Sequence, residues 1–221
     1  MRWILLLTLC WTSPSLASPV RTFGQALPQC APSAETCVGI VLHVAPGTER
    51  PLIRRGTWFE RQLTAANRRF APIGVAFEVV SIKRLTAAER HIASRSERDR
   101  LGRGDFTRGV VHVYLVGQLD NVDEPGVIQG VHWRDRAQRA RRWLIVASTA
   151  PRWVLAHELG HFFGLPHSTD PASIMNKAPR AEPPWSERGF VPRERRRMKQ
   201  RLRRALRSGA ITRVAPASRT P

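Results

Sequence analysis

His157-Glu158-Leu159-Gly160-His161-Phe162-Phe163-Gly164-Leu165-Pro166-His167 is the stretch on which the reading of this chain turns. Histidines four apart share one face of a helix, so His157 and His161 can hold one metal ion together. Glu158 follows the first of them and can reach water on that ion without being a ligand. Gly164 can take the backbone angles that end a helix abruptly. The chain can then turn back and bring His167 to the same ion. Three neutral imidazoles leave a coordination position open, which separates a catalytic zinc from a closed structural one. Such an ion lowers the pKa of a water from 15.7 to about 7, and Glu158 is placed as the general base that takes its proton during attack on a carbonyl. A core helix with incidental histidines would explain neither Glu158 nor the spacing of His167.

Working outward, Trp143 to Ser148 is an apolar strand that runs into the helix carrying this stretch, which is expected to begin near Pro151. Further strands are expected over Val38 to Val44, Val75 to Ile82 and Val110 to Val116, with Val127 to Trp133 as a short edge strand. Phe59, Leu63, Ala66 and Phe70 recur at helical spacing, with Thr57 as N-cap. The polar stretch from Thr86 to Leu101 fits a surface helix or a loop. From Arg193 to Arg207, Met198, Leu202, Ala205 and Leu206 make one packing stripe on an otherwise cationic helix. Strands interleaved with helices in this order predict an α/β or α+β domain built on one main sheet that need not be purely parallel.

The eleven residues from His157 to His167 resemble the zinc-binding signature of the metzincins, and Ser173-Ile174-Met175-Asn176 fits the methionine turn of that family. The stretch His167-Ser168-Thr169-Asp170-Pro171-Ala172-Ser173-Ile174-Met175 is similar, more narrowly, to the matrixin group. This resemblance covers residues 153 to 176. It implies an α+β catalytic domain: a twisted, mostly parallel sheet, an active-site helix, a cleft and a C-terminal helix. It implies one catalytic zinc ion on His157, His161 and His167, Glu158 as catalytic base, and Met175 as a floor beneath the ligands. It also implies an extended peptide or protein substrate paired along the edge strand. The chain departs from matrixins at Pro166, where glycine is usual. No cysteine-switch propeptide and no pattern for a structural second zinc or calcium is recognisable. His112, His132, Asp120 and Asp123 are more often core or surface residues than ligands. Tyr114 is the only tyrosine, so the tyrosine ligand of some metzincins is absent.

The remaining composition sets the context. Met1-Arg2, the apolar run Trp3 to Trp11 and Ser15-Leu16-Ala17 form the three-part pattern of a secretory signal over residues 1–17. The run is well short of the roughly 20 residues that span a bilayer. The expected catalytic domain is 18–209, with a flexible tail over 210–221, and a secreted monomer, extracellular or periplasmic. Removing the signal leaves Cys30 and Cys37, which fit a disulfide closing a short loop, or else a free Cys30 that caps the metal as a thiolate. The net charge is +19, and of 36 basic residues only Lys83, Lys177 and Lys199 are lysines. Codon bias accounts for such a skew as well as attraction to an anionic polysaccharide or other polyanion does. Two rivals to an endopeptidase remain: an aminopeptidase on the same site, and a secreted cationic binding protein with a vestigial metal site.

Overall fold

A computed structural model describes residues 27–48, 58–178 and 182–214; the segment read as a signal and the Thr57 cap lie outside them. The strands and helices follow in chain order as β1 (Thr36–Val44), α1 (Trp58–Phe70), β2 (Val75–Arg84), β3 (His91–Ile92), α2 (Arg95–Gly104), β4 (Val111–Val116) and β5 (Gln118–Leu119), then β6 (Gly130–Arg134), β7 (Arg142–Ala147), α3 (Val154–Phe162) and α4 (Pro192–Arg207). The polar stretch after Thr86 therefore holds a helix. Its start is written in Ser94 and Glu97: the Glu97 N–H donates to the Ser94 hydroxyl at 3.2 Å and the Ser94 N–H to the Glu97 carboxylate at 2.8 Å, a reciprocal cap. No helix among the described residues is long and apolar enough to cross a membrane.

Five strands form one sheet in the order β2-β1-β4-β7-β6. The first four run parallel, and β6 closes one edge antiparallel to β7, with Gly130 opposite Val146 and Arg134 opposite Arg142. The architecture is α+β on a mostly parallel sheet. Alternate side chains face opposite layers. Val38, Ile40, Leu42, Val113, Leu115 and Val146 pack under α1, α3 and α4, which contribute Leu63, Phe70, Leu155, Leu159, Met198 and Leu202. Tyr114, Val116, Trp143 and Ile145 face the other way, onto Leu101 of α2 and onto Ile92 and Leu119 of the small β3-β5 ribbon. Each fully buried aliphatic side chain contributes about 1.5–3 kcal/mol.

Two polar contacts fix where α3 starts. The buried Gln62 amide of α1 donates to the Pro151 carbonyl at 2.8 Å and accepts the Leu155 N–H at 3.1 Å, satisfying a helix-start donor that has no partner within α3. Trp58 Nε1–H donates to the Ala150 carbonyl at 3.1 Å. Near the other end of the chain, a disulfide joins Cys30 to Cys37 at the start of β1, so the Cys30 sulfur is not a free thiolate. The stretch after Gly209 was expected to be loose, and its first residues are not. Ile211 is fully buried, the Thr212 N–H donates to the Gly109 carbonyl at 2.8 Å and the Val214 N–H to the Cys37 carbonyl at 3.0 Å. One apolar side chain and free backbone acceptors beside β1 and β4 draw residues 210–214 onto the domain.

Candidate metal centre

Helix α3 carries the first two histidines one turn apart, and a single turn delivers the third. Gly164, at φ 86°, ends the helix: its N–H donates to the His161 carbonyl at 2.9 Å, and the Leu165 N–H reaches back to the Gly160 carbonyl at 3.0 Å. This paired closure is the Schellman geometry, and it needs a residue free to adopt positive φ. The Leu165 carbonyl it presents then accepts His161 Nδ1–H at 2.7 Å. His157 Nδ1–H donates likewise to the Ile174 carbonyl at 2.8 Å. A carbonyl can only accept, so both rings carry their proton on Nδ1 and leave the Nε2 lone pairs free.

Those Nε2 atoms converge. His161 Nε2 lies 3.1 Å from His157 Nε2 and 3.3 Å from His167 Nε2. Ligand atoms 2.0–2.1 Å from a tetrahedral zinc lie about 3.3 Å apart, so the donor set fits that ion. Burial lowers the pKa of all three imidazoles, to about 4 for His157, whose shift is opposed by the Ile174 carbonyl and reinforced by His161 and His167. Lys177 adds to the effect at His167. Neutral rings are what a metal needs. Among the described residues, one other set gathers three ligand atoms, Cys30, Cys37 and Glu78, and its two sulfurs are spent in the disulfide. His112 pairs with His43, Asp120 with His91, and Asp123 with Arg95.

Glu158 is buried beside the triad in a cleft of about 610 Å³, whose walls include Gln129, Val131, His132, Trp153, Lys177 and Trp185. Burial pushes its carboxyl up to about 8, opposed by a hydrogen bond from the His132 backbone. A dication held by the imidazoles would favour the charged form and pull the value back down. The edge strand β6 passes directly over this carboxylate. A Cβ on Gly130 would sit 3.0 Å from Glu158 Cγ and 2.6 Å from Val154 Cγ1, so only glycine lets the strand come so close. Val127 to Trp133 was the expected edge; the paired strand begins three residues later, at Gly130, because Val127 bridges Asp120 instead.

Met175 is fully buried below α3, and Gly160 is what admits it: a Cβ there would meet Met175 Sδ at 2.5 Å. The methionine turn is anchored to α4. The Ser173 hydroxyl donates to Glu194 at 2.7 Å and accepts the Met175 N–H at 3.0 Å. Past the turn, Trp185 stacks on Trp153 with ring centroids 3.8 Å apart, and the Arg188 guanidinium lies 4.1 Å over Trp185. Arg69 of α1 holds this loop through the Trp185 and Arg188 carbonyls at 2.9 and 3.0 Å. The parts played by Gly130, Gly160, Glu194, Arg69 and the tryptophan pair are not visible in the sequence.

The family model for matrixins matches residues 117–185, the part of the chain that runs from β5 through β6, β7, α3 and the methionine turn to Trp185. Among solved structures, metalloproteinase-II from Bacteroides fragilis superposes with a TM-score of 0.54 at 14% identity, covering 79% of this chain and 55% of that one, so the chain spans about half of its length. Archaemetzincin from Methanopyrus kandleri superposes with a TM-score of 0.49 at 16% identity, covering 75% of this chain and 96% of that one. No curated protein sequence matches the chain. The chain is metzincin-like, with a matrixin-like segment that holds the three histidines.

Proposed function

We propose that this metzincin-like chain is a secreted zinc endopeptidase, with His157, His161 and His167 as ligands and Glu158 as the catalytic base. One observation carries the reading: His161 Nε2 lies within 3.3 Å of both His157 Nε2 and His167 Nε2, beside a buried carboxylate and under β6, the edge strand of the sheet. A zinc ion held there supplies Lewis acidity at a carbonyl and lowers the pKa of a water to about 7.

The chain's own residues do the rest. The outer edge of β6 offers backbone donors and acceptors to an extended peptide, which fixes the scissile bond over the triad. Glu158 takes the proton of the attacking water on its carboxylate oxygen and passes it to the leaving amine. The Ile174 and Leu165 carbonyls hold His157 and His161 in one tautomer and one orientation. Met175 packs beneath them. The Cys30–Cys37 disulfide suits an oxidising compartment and so supports export. The catalytic unit is taken to run from residue 18 to the end of α4 and its bonded extension.

The test is digestion of two peptide libraries, one blocked at both termini and one with free amino termini, with and without a zinc chelator. Chelator-sensitive cleavage at internal bonds is the expected result. Cleavage confined to peptides with a free amino terminus would make the enzyme an aminopeptidase. A zinc-loaded protein inert on every peptide would leave the vestigial reading standing.

A further inference from the structure

The arginine excess is not spread evenly over the molecule. On α2 the cations meet carboxylates: Arg95 pairs with Asp123, Arg100 with Glu97 at 3.8 Å, and Arg103 with Asp99 and Asp135 at 4.0 and 3.9 Å. The hairpin between β6 and β7 and the outer face of α4 are different. Arg134, Arg136, Arg139, Arg141 and Arg142 crowd this hairpin. Its one carboxylate, Asp135, is buried and accepts the Ala137 and Gln138 N–H groups at 2.7 and 2.9 Å. Helix α4 exposes Arg193, Arg196, Arg197, Arg203, Arg204 and Arg207 along about 24 Å. Its one acid, Glu194, is buried against Ser173. Among the described residues no ion pair engages a cation of α4 or of the hairpin. Codon bias would scatter arginines without regard to where the carboxylates are, so this segregation asks for a physical reason.

Beside the hairpin, reaching Ala210 just past the end of α4, lies a recess of about 330 Å³ whose walls include Phe106, Arg108, Arg141, Arg142 and Phe162 and no carboxylate. The Arg141 guanidinium lies over the Phe106 ring at 5.5 Å, and that of Arg142 over Phe162 at 4.0 Å. Arg108 Nη2–H donates to the Ser208 carbonyl at 2.8 Å, and Arg142 Nη1–H to the Phe162 carbonyl at 2.7 Å. Stacking fixes a guanidinium plane while sparing its in-plane N–H donors, the fork that matches a planar or tetrahedral oxyanion. Burial, then the charges of Arg134 and Arg201, hold the Arg142 pKa down to about 10. An anion seated among these cations relieves that repulsion.

We infer that the recess and the outer face of α4 together bind an acidic polysaccharide, one sulfate or carboxylate of which sits among Arg108, Arg141 and Arg142. Single-stranded nucleic acid is disfavoured because the ring faces a base would stack on already carry arginines. A membrane surface is disfavoured because the apolar stripe of α4 is buried, and the exposed large hydrophobics among the described residues, Val80 and Val127, lie on neither element. A nucleic-acid duplex could lie along α4 but would leave the recess unused. The surface shares no lining residue with the metal cleft, so it is independent of the proposed hydrolysis.

The experiment measures binding of the full chain to heparin, as a sulfated-glycan probe, and to a short DNA duplex at fixed salt. The variants are Arg108→Gln/Arg141→Gln and a charge-matched control on other faces, Arg84→Gln/Arg100→Gln. The recess pair is expected to weaken heparin binding by about tenfold and the control by less than about twofold. Arg108→Lys/Arg141→Lys, which keeps charge but loses the fork, should fall between wild type and the glutamine pair. Circular dichroism and zinc content report that each variant is folded. Equal losses in recess and control pairs, full heparin affinity in the lysine pair, or duplex bound more tightly than heparin would each overturn the proposal.

Discussion

Glu158→Gln removes a base while keeping the size and most of the packing of a buried side chain. If Glu158 takes the proton of the attacking water, the variant loses about 10²–10⁴-fold in kcat and keeps its zinc. Metal analysis beside peptide cleavage checks this, and unchanged turnover in the glutamine variant rules the base out. The histidines predict how zinc depends on pH. Their folded-state pKa values are lowered from 6.5, to about 4 at His157, so protons compete for Nε2 only well below the ordinary histidine range. Zinc should therefore stay bound as pH falls past 6.5 and leave on approach to about 4. Dialysis across this range followed by metal analysis gives the curve; release centred at 6.5 or above would contradict the buried, neutral triad. Legibility divides at this scale too. The histidines, Glu158 and Gly164 could be read because one helix and one turn set their spacing. Gly160 stood in the same stretch, but its purpose depends on Met175, brought up from below by a turn fifteen residues later.

Helix α2 shows what sequence reading misses at the level of elements. Its polar, arginine-rich composition gives no apolar stripe, and beside the single core side chain Leu101 the contacts that dock it are polar or glycine-mediated: Trp133 Nε1–H donates to Asp99 at 2.7 Å, Arg98 lies 4.9 Å from the Trp133 ring centroid, and Gly102 presses on Trp143. Each depends on β6 or β7, about 34 to 41 residues further along the chain. Glycine to alanine inside a helix ordinarily stabilises by about 0.8–1.0 kcal/mol. At Gly102 a Cβ would stand 2.2 Å from the fully buried Trp143 ring, and overpacking of that kind costs about 1–3 kcal/mol. Gly102→Ala should therefore lower the melting temperature; a rise would show that α2 is not seated on Trp143. The long parallel strands and α4 were legible for the opposite reason, since continuous apolar runs and a 3.6-residue stripe are decided locally. The tie between α4 and the methionine turn was not. Glu194→Ala leaves the buried Ser173 hydroxyl without its acceptor and removes the carboxylate that receives the Val191 N–H at 3.0 Å. A loss of about 1–3 kcal/mol in stability is expected, with weaker zinc retention because Ile174, next to Ser173, orients His157. Zinc affinity equal to wild type would confine Glu194 to a helix-capping role.

For the whole molecule, the sheet carries a second set of buried imidazoles on the face turned away from α3. His43 of β1 and His112 of β4 meet only because the parallel register sets Val41 against His112 and His43 against Tyr114. Their rings share a hydrogen bond of 2.9 Å, His43 stacks on Tyr114 at 4.2 Å, and His112 Nε2 lies 2.9 Å from the Thr107 N–H. Burial, then His112 and Lys83, lower the His43 pKa to about 3, with Asp105 opposing. Burial likewise lowers that of His112. The sign follows from proton counts. Below 6.5 the unfolded chain protonates these rings while the folded one does not, so the unfolded state binds more protons and stability falls as pH falls. The contribution is intact above 6.5 and is lost between 6.5 and about 3 for His43, at a slope of about 1.4 kcal/mol per pH unit for each ring held neutral. His43→Phe keeps a ring against Tyr114 and cannot titrate. Its urea midpoint, measured at constant zinc, should decline less steeply than that of wild type between pH 6.5 and 4.5. Parallel declines in the two proteins would mean that the acid sensitivity resides in the metal triad alone and that this strand pair contributes nothing to it.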